Sequence, residues 1–247
     1  PEGRARTSMS DDWDDIADWW IATVRNDPVD SDEPLALLRD LVEPTAERTL
    51  DLGCGDGQAL PLLGAGAIGV DLSHRLLSHA IRHAPVVRSR LPELAWVRPG
   101  SIDQAVAVGV VELLADHGSF FEAVATAVRP AGALVVVMNH PVITAPGSEP
   151  LVDEDGAVVW RWGTYLEPGA TPQPAADRAV ELHHRSLGDL LTAAADAGWQ
   201  LEHMIERATT ANTVDTTADN DGQEHLPSLL GVRWRRAPST PPTEGAS

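Results

Sequence analysis

Three glycines at every second position follow a short apolar segment in the first quarter of the chain. Residues 49–52 carry Asp51 and lead directly into Gly53, Gly55 and Gly57. Glycine at this density permits the positive φ angles and the close backbone approach that a bound ligand requires. The following chain can start a helix, whose N-terminus favours electron-rich groups. The pattern therefore predicts a ligand-binding turn at the end of a β-strand.

A second acid follows a second apolar segment. Residues 69–73 read GVDLS, which places Asp71 twenty positions after Asp51. An acid at about that distance beyond a glycine turn hydrogen-bonds the ribose hydroxyls of a nucleotide cofactor. The alternatives are a tight turn without a ligand and a helix cap at Asp71, although Ser73 is better placed to cap. We therefore expect an adenosine-containing cofactor.

The glycine spacing narrows the class of cofactor. The pattern D-x-G-x-G-x-G differs from the dinucleotide fingerprint G-x-G-x-x-G. It resembles motif I of the class I S-adenosylmethionine-dependent methyltransferases, and GVDLS resembles their second motif. Three later segments, 101–117, 127–141 and 183–206, resemble later parts of the same family in the same order. The resemblance covers roughly residues 13–236 and is closest to the small-molecule methyltransferases.

This resemblance implies S-adenosylmethionine as the cofactor, with the glycine turn under its methionine portion and Asp71 on its ribose. The residues implied to bind it are Trp20, Asp51, Gly53, Cys54, Gly55, Gly57, Asp71, Leu72, Leu91, Gly109 and Val110. Cys54 is expected to pack rather than react, because small residues commonly fill that position. After the third strand no acid stands where the family often contacts adenine, so Leu91 is expected to meet the ring.

Candidate catalytic residues follow from the chemistry of methyl transfer. The reaction is an in-line displacement in which positioning supplies much of the catalysis. A general base is needed only where the acceptor loses a proton in the attack. His140 ends the fifth strand, and His183 and His184 precede a late helix; Glu112 follows the fourth strand. Histidine titrates near neutral pH, so the three histidines are the catalytic candidates, with a structural hydrogen bond as the competing interpretation. No metal site is predicted.

The segments around these motifs predict a Rossmann-like, doubly wound α/β sheet of seven strands with an antiparallel last strand. Strands are predicted at 48–52, 67–71, 85–88, 102–108, 133–138, 199–206 and 229–235. Helices are predicted at 13–24, 34–41, 57–63, 73–83, 118–129 and 186–197. Two final strands joined by a loop without a helix favour the methyltransferase ending over the parallel units of a dehydrogenase.

The predicted organisation is a cap followed by one cofactor-binding domain. The segments are a disordered tail at 1–10, a helical cap at 11–43, the domain at 44–236 and a disordered tail at 237–247. Residues 141–182, after strand five, are an insertion rich in proline and glycine, which predicts a substrate lid. The tryptophans of the cap and the insertion either attract the sulfonium, build an apolar acceptor pocket, or only pack.

Composition limits the partners. The net charge is −19, with 37 acids against 18 bases, and every base is arginine. Only Arg233, Arg235 and Arg236 cluster, so nucleic acid and anionic membranes are unexpected partners. No apolar run reaches the roughly 18 residues of a membrane span. The single cysteine fits a reducing cytoplasm. We expect a cytoplasmic bacterial protein, monomer or homodimer, that acts on a small-molecule acceptor.

The working hypothesis is methyl transfer from S-adenosylmethionine to an oxygen or nitrogen of a small molecule. A catalytically silent cofactor-binding protein of the same fold is one alternative. A nicotinamide-dependent oxidoreductase is another, and it needs a glycine spacing that is absent after strand one.

Overall fold

The computed structural model describes residues 9–26, 28–154, 158–208 and 225–238. Its α-helices are Met9–Trp19 (α1), Pro28–Leu41 (α2), His74–Ala80 (α3), His117–Ala127 (α4), Pro141–Thr144 (α5) and Leu187–Asp196 (α6). The first strands are Thr49–Leu52 (β1), Ala67–Asp71 (β2), Val86–Arg88 (β3), Ile102–Val108 (β4) and Val128–Asn139 (β5). The remaining strands are Ser148–Val152 (β6), Val158–Trp162 (β7), Gly169–Ala175 (β8), Arg178–His184 (β9), Trp199–Arg207 (β10) and Leu229–Arg236 (β11).

Seven strands form one sheet in the order β10-β11-β5-β4-β1-β2-β3. The pairs from β5 to β3 are parallel, and β11 is antiparallel to both β5 and β10. This arrangement confirms the predicted Rossmann-like sheet with its antiparallel last strand. The order reverses at β1 and β4, so their carboxyl ends form the crevice where open α/β sheets bind ligands.

The central strands of the sheet are buried on both faces, which explains why they are readable in the sequence as apolar runs. All four residues of β1 and the first six of β4 are buried. One core cluster includes Leu52, Phe120 and Trp234, and the other includes Leu37 and Val135. Helices α4 and α6 cover the first cluster, and α2 covers the second. The helices on the two faces of the sheet therefore hold the strand ends at the crevice in place.

The N-terminal cap differs in detail from the prediction. Helix α1 begins at Met9, inside the segment expected to be a tail, and continues as a π-helical turn over Trp20–Val24; residues 1–8 lie outside the described residues. The second helix begins at Pro28 rather than at Pro34, which lies inside it. Proline is favoured at the first position of a helix, which is why the prediction began the helix at Pro34; that start is wrong.

The predicted helix at 57–63 is also wrong. The structure has a single 3₁₀ turn, Leu60–Leu62, between the glycine turn and β2. Pro61 has no N–H to donate, and Gly64 takes φ 82° and ends the turn. The chain before β2 is therefore too short and too interrupted for a full α-helix.

The insertion after β5 is more regular than predicted. It contains α5 and two antiparallel hairpins, β6–β7 and β8–β9. The second strand of the first hairpin ends at Trp162. Strand β9 runs to His184 and lies beside the loop after β4, so the insertion closes one side of the crevice. No helix in the described ranges is long and apolar enough to span a membrane.

Candidate active site

The glycine turn has the backbone that its sequence predicted. Gly53, Gly55 and Gly57 take φ angles of 74°, 54° and 92°. A Cβ added to Gly53 would lie 2.3 Å from Cγ2 of Val110. Val110 is itself buried at the end of β4, so the turn packs directly against the neighbouring strand end. Only glycine fits there, because both the φ angle and the available space exclude a side chain.

Gly55 and Gly109 face open space instead. Both have positive φ angles, 54° and 65°, and a Cβ added to either would meet no atom within 4 Å. The two residues follow β1 and β4, the strands on either side of the reversal in strand order. Bare backbone beside empty space at this position is suited to a ligand that approaches the main chain closely.

Asp71 lies at the rim of the same space and is held by main-chain donors. Its Oδ2 accepts a hydrogen bond from the amide of Gly55 (2.9 Å), and its Oδ1 accepts one from the amide of Ser73 (2.8 Å). Burial raises the pKa of Asp71, and these hydrogen bonds act in the opposite direction. Each carboxylate oxygen has a second lone pair, so the fixed carboxylate can accept further hydrogen bonds from a pair of hydroxyls.

Asp51 is the buried acid beneath the turn. Its side chain is 1 % exposed, and its Oδ2 has no hydrogen-bond partner within the described ranges. Burial, and then the charge of Asp71, raise the pKa of Asp51 to about 7. A buried acceptor without a partner is costly and calls for an explanation. A cationic or donor group of a ligand in the crevice would supply the missing partner.

Three other residues predicted to bind the cofactor pack around the glycine turn or the end of β2. The thiol of Cys54 is buried against Gly69, where an added Cβ would lie 2.7 Å from Sγ. Burial raises the pKa of this thiol, and Cys54 packs against β2. The carbonyl of Leu72 accepts a hydrogen bond from Nε of Arg88 (2.9 Å). Leu91 is half-buried against the core.

Trp20 lies in the π-helical turn of the cap. It is half-buried and makes an edge-to-face contact with Trp13, with ring centroids 5.7 Å apart. Nearby, Nε of Arg25 lies 3.2 Å from Oδ2 of Asp56 in the glycine turn. The pair of Arg25 and Asp56 therefore joins the end of the cap's first helical segment to the glycine turn.

His140 is tied to the protein at both ring nitrogens. Its Nδ1 accepts a hydrogen bond from the amide of Val142 (3.1 Å) and so caps α5. Its Nε2 lies 2.8 Å from Oε1 of Glu206. Since Nδ1 accepts, Nε2 carries the proton and donates to the carboxylate. Burial lowers the pKa of His140, while Glu206 acts to raise it. In this arrangement the ring has no free lone pair for an acceptor's proton.

His184 is held in the same way inside the insertion. Its Nε2 lies 2.8 Å from the carbonyl oxygen of Tyr165, and its Nδ1 lies 3.1 Å from Oγ1 of Thr144. Because a carbonyl only accepts, Nε2 donates and Nδ1 accepts from the threonine hydroxyl. The residue is fully buried. Its contacts tie β9 to α5 and to the loop after β7.

His183 projects from the other face of β9, because side chains alternate along a strand. It is half-buried. It is close enough to His117 to influence the pKa of that ring. Of the three predicted histidines, His183 is the one for which the described structure shows no ring hydrogen bond.

Two buried groups after β4 complete this side of the crevice. Glu112 is 2 % exposed; its Oε1 accepts from the amide and from the side-chain Nδ2 of Asn139, and its Oε2 has no partner in the described chain. Burial raises the pKa of Glu112 to about 7. Within the described ranges, neither ring nitrogen of the buried His117 has a hydrogen-bond partner, and burial and the charge of Arg185 lower its pKa to about 4. The sequence predicts no role for His117, and the only local signal is its position after the helix-capping Asp116.

A surface cavity of about 630 Å³ lies in the insertion and is lined by residues 162–167. Within it, Trp162 and Tyr165 make an edge-to-face contact with centroids 5.5 Å apart. The carbonyl of Tyr165 is the partner of His184, which connects the cavity to β9. The insertion thus presents an apolar surface next to the strand that closes the crevice.

Residues 50–136 match a family model described as a methyltransferase domain. Trans-aconitate 2-methyltransferase of Methylobacterium radiotolerans is 30% identical over 215 residues, which cover 74% of this chain and 78% of that protein. The ubiquinone biosynthesis O-methyltransferase of Cupriavidus pinatubonensis is 29% identical over 48% of this chain and 52% of its own length. The chain therefore spans about half of that second relative.

Solved structures agree with the fold. A crystal structure of an S-adenosylmethionine-dependent methyltransferase from Mesorhizobium loti has a TM-score of 0.68 at 28% identity and covers 81% of this chain and 96% of its own. A putative S-adenosylmethionine-dependent methyltransferase from Listeria monocytogenes has a TM-score of 0.69 at 20% identity and covers 82% and 97% of the two chains. The chain belongs to the class I S-adenosylmethionine-dependent methyltransferases.

Proposed function

We propose that this methyltransferase transfers its methyl group to an oxygen or nitrogen of a small molecule bound between the strand ends and the insertion. The observation that carries the proposal is the position of β9. This strand of the insertion lies beside the loop after β4, so the insertion forms a wall of the same crevice that the glycine turn lines.

The residues of the crevice fit the cofactor. S-adenosylmethionine supplies an activated methyl group on a sulfonium. We assign Asp71 to the ribose hydroxyls, because its carboxylate is fixed by two amides and retains free lone pairs. Asp51 provides an unpartnered buried acceptor for the amino group of the methionine portion. Gly53, Gly55 and Gly109 allow the main chain to approach, with Leu91 and Trp20 as apolar contacts at the edges.

On the acceptor side, His183 and Glu112 are the groups proposed to interact with the methyl acceptor. His140 and His184 hold the wall in place, because their ring nitrogens are used within the protein. His183 is assigned to hydrogen-bond the acceptor and to take its proton where the acceptor has one to lose. A carboxylate acceptor needs no such base, since it is already ionised at neutral pH.

Oxygen is the favoured acceptor atom of the two. The Cupriavidus relative is named an O-methyltransferase, and the Methylobacterium relative is named for trans-aconitate. The apolar surface at residues 162–167 suits an acceptor with an aromatic or aliphatic portion. A protein of net charge −19 is a poor match for nucleic acid, which supports a small molecule, and a cytoplasmic location remains part of the proposal.

The test is an activity screen. Purified protein is incubated with S-adenosylmethionine and a panel of carboxylic acids (trans-aconitate among them), phenols and amines, and formation of S-adenosylhomocysteine is measured. We expect turnover with at least one small acid or phenol, and a loss of that turnover in Asp71→Ala. Binding of the cofactor without turnover on any acceptor would contradict the proposal and favour a silent cofactor-binding protein.

A further inference from the structure

We infer that Asp14, in the N-terminal helix α1, is a positioning residue for the cofactor that acts on Asp71 through Ser73. The inference rests on the proposed role of Asp71 in holding the ribose. It concerns a contact between the cap and the end of β2, where Asp14 and Ser73 are 59 residues apart in sequence and adjacent in the fold.

The central group is the hydroxyl of Ser73. Its oxygen lies 2.5 Å from Oδ1 of Asp14 and accepts a hydrogen bond from the amide of Leu76 (3.1 Å) at the start of α3. Because that amide donates, the single hydroxyl hydrogen is free to be donated to Asp14. Ser73 is fully buried, so no water competes for this hydrogen bond.

The amide of the same residue holds Asp71. It donates to Oδ1 of Asp71 at 2.8 Å. The hydroxyl of Ser73 is fixed by Asp14 on one side and its amide points to Asp71 on the other. Loss of Asp14 would release the hydroxyl of Ser73 and let the main chain of Ser73 shift. The hydrogen bond from its amide to Asp71 would then weaken, and the amides of Gly55 and Leu72 would be left to orient the carboxylate.

Asp14 is itself held firmly. Its Oδ1 also accepts a hydrogen bond from the amide of Arg75 (3.0 Å), and its Oδ2 lies 3.9 Å from Nη2 of Arg88. Burial opposes ionisation, but the hydrogen bonds from Arg75 and Ser73 and the charge of Arg88 outweigh it, so the pKa of Asp14 lies below its usual value. Asp14 is therefore ionised at neutral pH. Arg88 also binds the carbonyl of Leu72, so the same cluster fixes both residues that follow β2.

This arrangement explains how docking of the cap influences cofactor binding without any cap residue touching the ribose. A side chain that orients a ligand-binding group through a second residue contributes by preorganisation. Its removal reduces affinity for ligands that use the oriented group and leaves affinity for other ligands nearly unchanged. That difference separates a positioning role from a purely structural one.

The experiment is calorimetric titration with S-adenosylhomocysteine and with its 2′,3′-dideoxy analogue, which lacks both ribose hydroxyls. Asp14→Ala is expected to weaken binding of S-adenosylhomocysteine about five- to tenfold, the effect of one or two lost hydrogen bonds. Binding of the 2′,3′-dideoxy analogue is expected to change by less than about twofold. Asp14→Asn retains an oxygen acceptor for Ser73 and Arg75 and should restore most of the affinity.

A matched control is Asp18→Ala. Asp18 lies one turn along the same helix and pairs with the side chain of Arg75 at the surface. Asp18→Ala therefore removes the same charge as Asp14→Ala without removing a contact of Ser73. Its affinity is expected to equal that of the wild type. The double variant Asp14→Ala/Ser73→Ala should bind no more weakly than Ser73→Ala alone, because both changes break one pathway.

The outcomes distinguish this inference from the function on which it rests. If Asp71→Ala leaves the affinity for S-adenosylhomocysteine unchanged, the proposed role of Asp71 is wrong. If Asp71→Ala weakens binding but Asp14→Ala does not, or weakens both ligands equally, the inference is overturned. Should Asp14→Ala fail to fold, Ser73→Ala and Ser73→Thr provide the same comparison: only the variant without a hydroxyl should lose its preference for the ligand that carries the ribose hydroxyls.

Discussion

Arg178, in hairpin β8–β9 of the insertion, lies 2.6 Å from Asp15 of the N-terminal helix, measured from Nη2 to Oδ2. The contact joins the N-terminal cap, which touches the glycine turn, to the insertion, which closes one side of the crevice. The side chains are 41% and 48% exposed. An ion pair this exposed contributes less than about 1 kcal/mol and weakens as salt rises.

Asp15→Asn is therefore expected to loosen the contact between cap and insertion without unfolding either. Hydrogen exchange should accelerate in residues 169–184, while the free energy of unfolding falls by less than about 1 kcal/mol. Salt at about 1 M should produce the same change in the wild type. The control is Glu149→Gln, which removes a pair with Arg161 inside hairpin β6–β7. Equal exchange in the two variants would show that the pair does not join cap and insertion.

Gly53→Ala is expected to destabilise the glycine turn more than the same substitution does at a glycine with open space around it. The new Cβ would lie 2.3 Å from Cγ2 of Val110, and the alanine would have to adopt a φ angle of 74°. Gly64→Ala is the matched control, since Gly64 has φ 82° but open space around its Cβ position. Both variants carry the backbone strain of about 1–2 kcal/mol, and only Gly53→Ala adds the steric overlap.

The measurement is denaturant unfolding together with titration of S-adenosylhomocysteine. Gly53→Ala should lose at least about 1 kcal/mol more stability than Gly64→Ala and should lose cofactor binding as well. Equal losses in the two variants would mean that the turn does not pack against β4 as described.

Glu112→Gln is expected to change the pH dependence of stability. Burial raises the pKa of Glu112 from 4.5 to about 7. Between these values the folded protein retains a proton that the unfolded chain has released, so stability falls as pH rises, and the whole penalty is present above about pH 7. Glutamine cannot ionise, so the variant should gain at least about 1 kcal/mol relative to the wild type between pH 5 and pH 8.

Asp103→Asn is the control for this pH series. Asp103 pairs with Arg48 and Arg129, and these contacts lower its pKa to about 2 despite partial burial. It is ionised throughout the range from pH 5 to pH 8, so its replacement should lower stability by a constant amount. A parallel slope for Glu112→Gln and the wild type would show that Glu112 titrates at an ordinary pKa.

The three histidines are expected to fall into two groups. His140→Ala and His184→Ala each remove two buried hydrogen bonds and should lower the free energy of unfolding by about 2–3 kcal/mol. His183→Ala should leave stability within about 0.5 kcal/mol and reduce turnover at saturating cofactor. Thermal unfolding and the methyl-transfer assay measure the two effects. Lost turnover with full stability in His140→Ala would instead make His140 the base.

The centre of the sheet was predictable from the sequence because its strands are buried on both faces. β2 lies where it was predicted, at residues 67–71, and β4 likewise at 102–108. The glycine turn was predictable for a related reason, since Gly53 occupies a position that no side chain can enter. Where packing or backbone geometry restricts the residue type strongly, a single sequence is enough.

The roles of polar side chains were less predictable, because their partners come from distant parts of the chain. Glu206 binds His140 across 66 positions, and Thr144 binds His184 across 40. Nothing local distinguishes a histidine that is satisfied in this way from one that faces a substrate. The start of α2 was predicted wrongly for a local reason: Pro34 fits the first position of a helix, but it lies inside a helix that begins at Pro28.

The most direct test of the account is a crystal structure with S-adenosylhomocysteine bound. We predict the ribose hydroxyls at Asp71, the amino group of the homocysteine portion near Oδ2 of Asp51, and the sulfur beside the space at Gly109. A ligand bound elsewhere, or a crevice filled by the protein's own side chains at saturating ligand, would contradict the account.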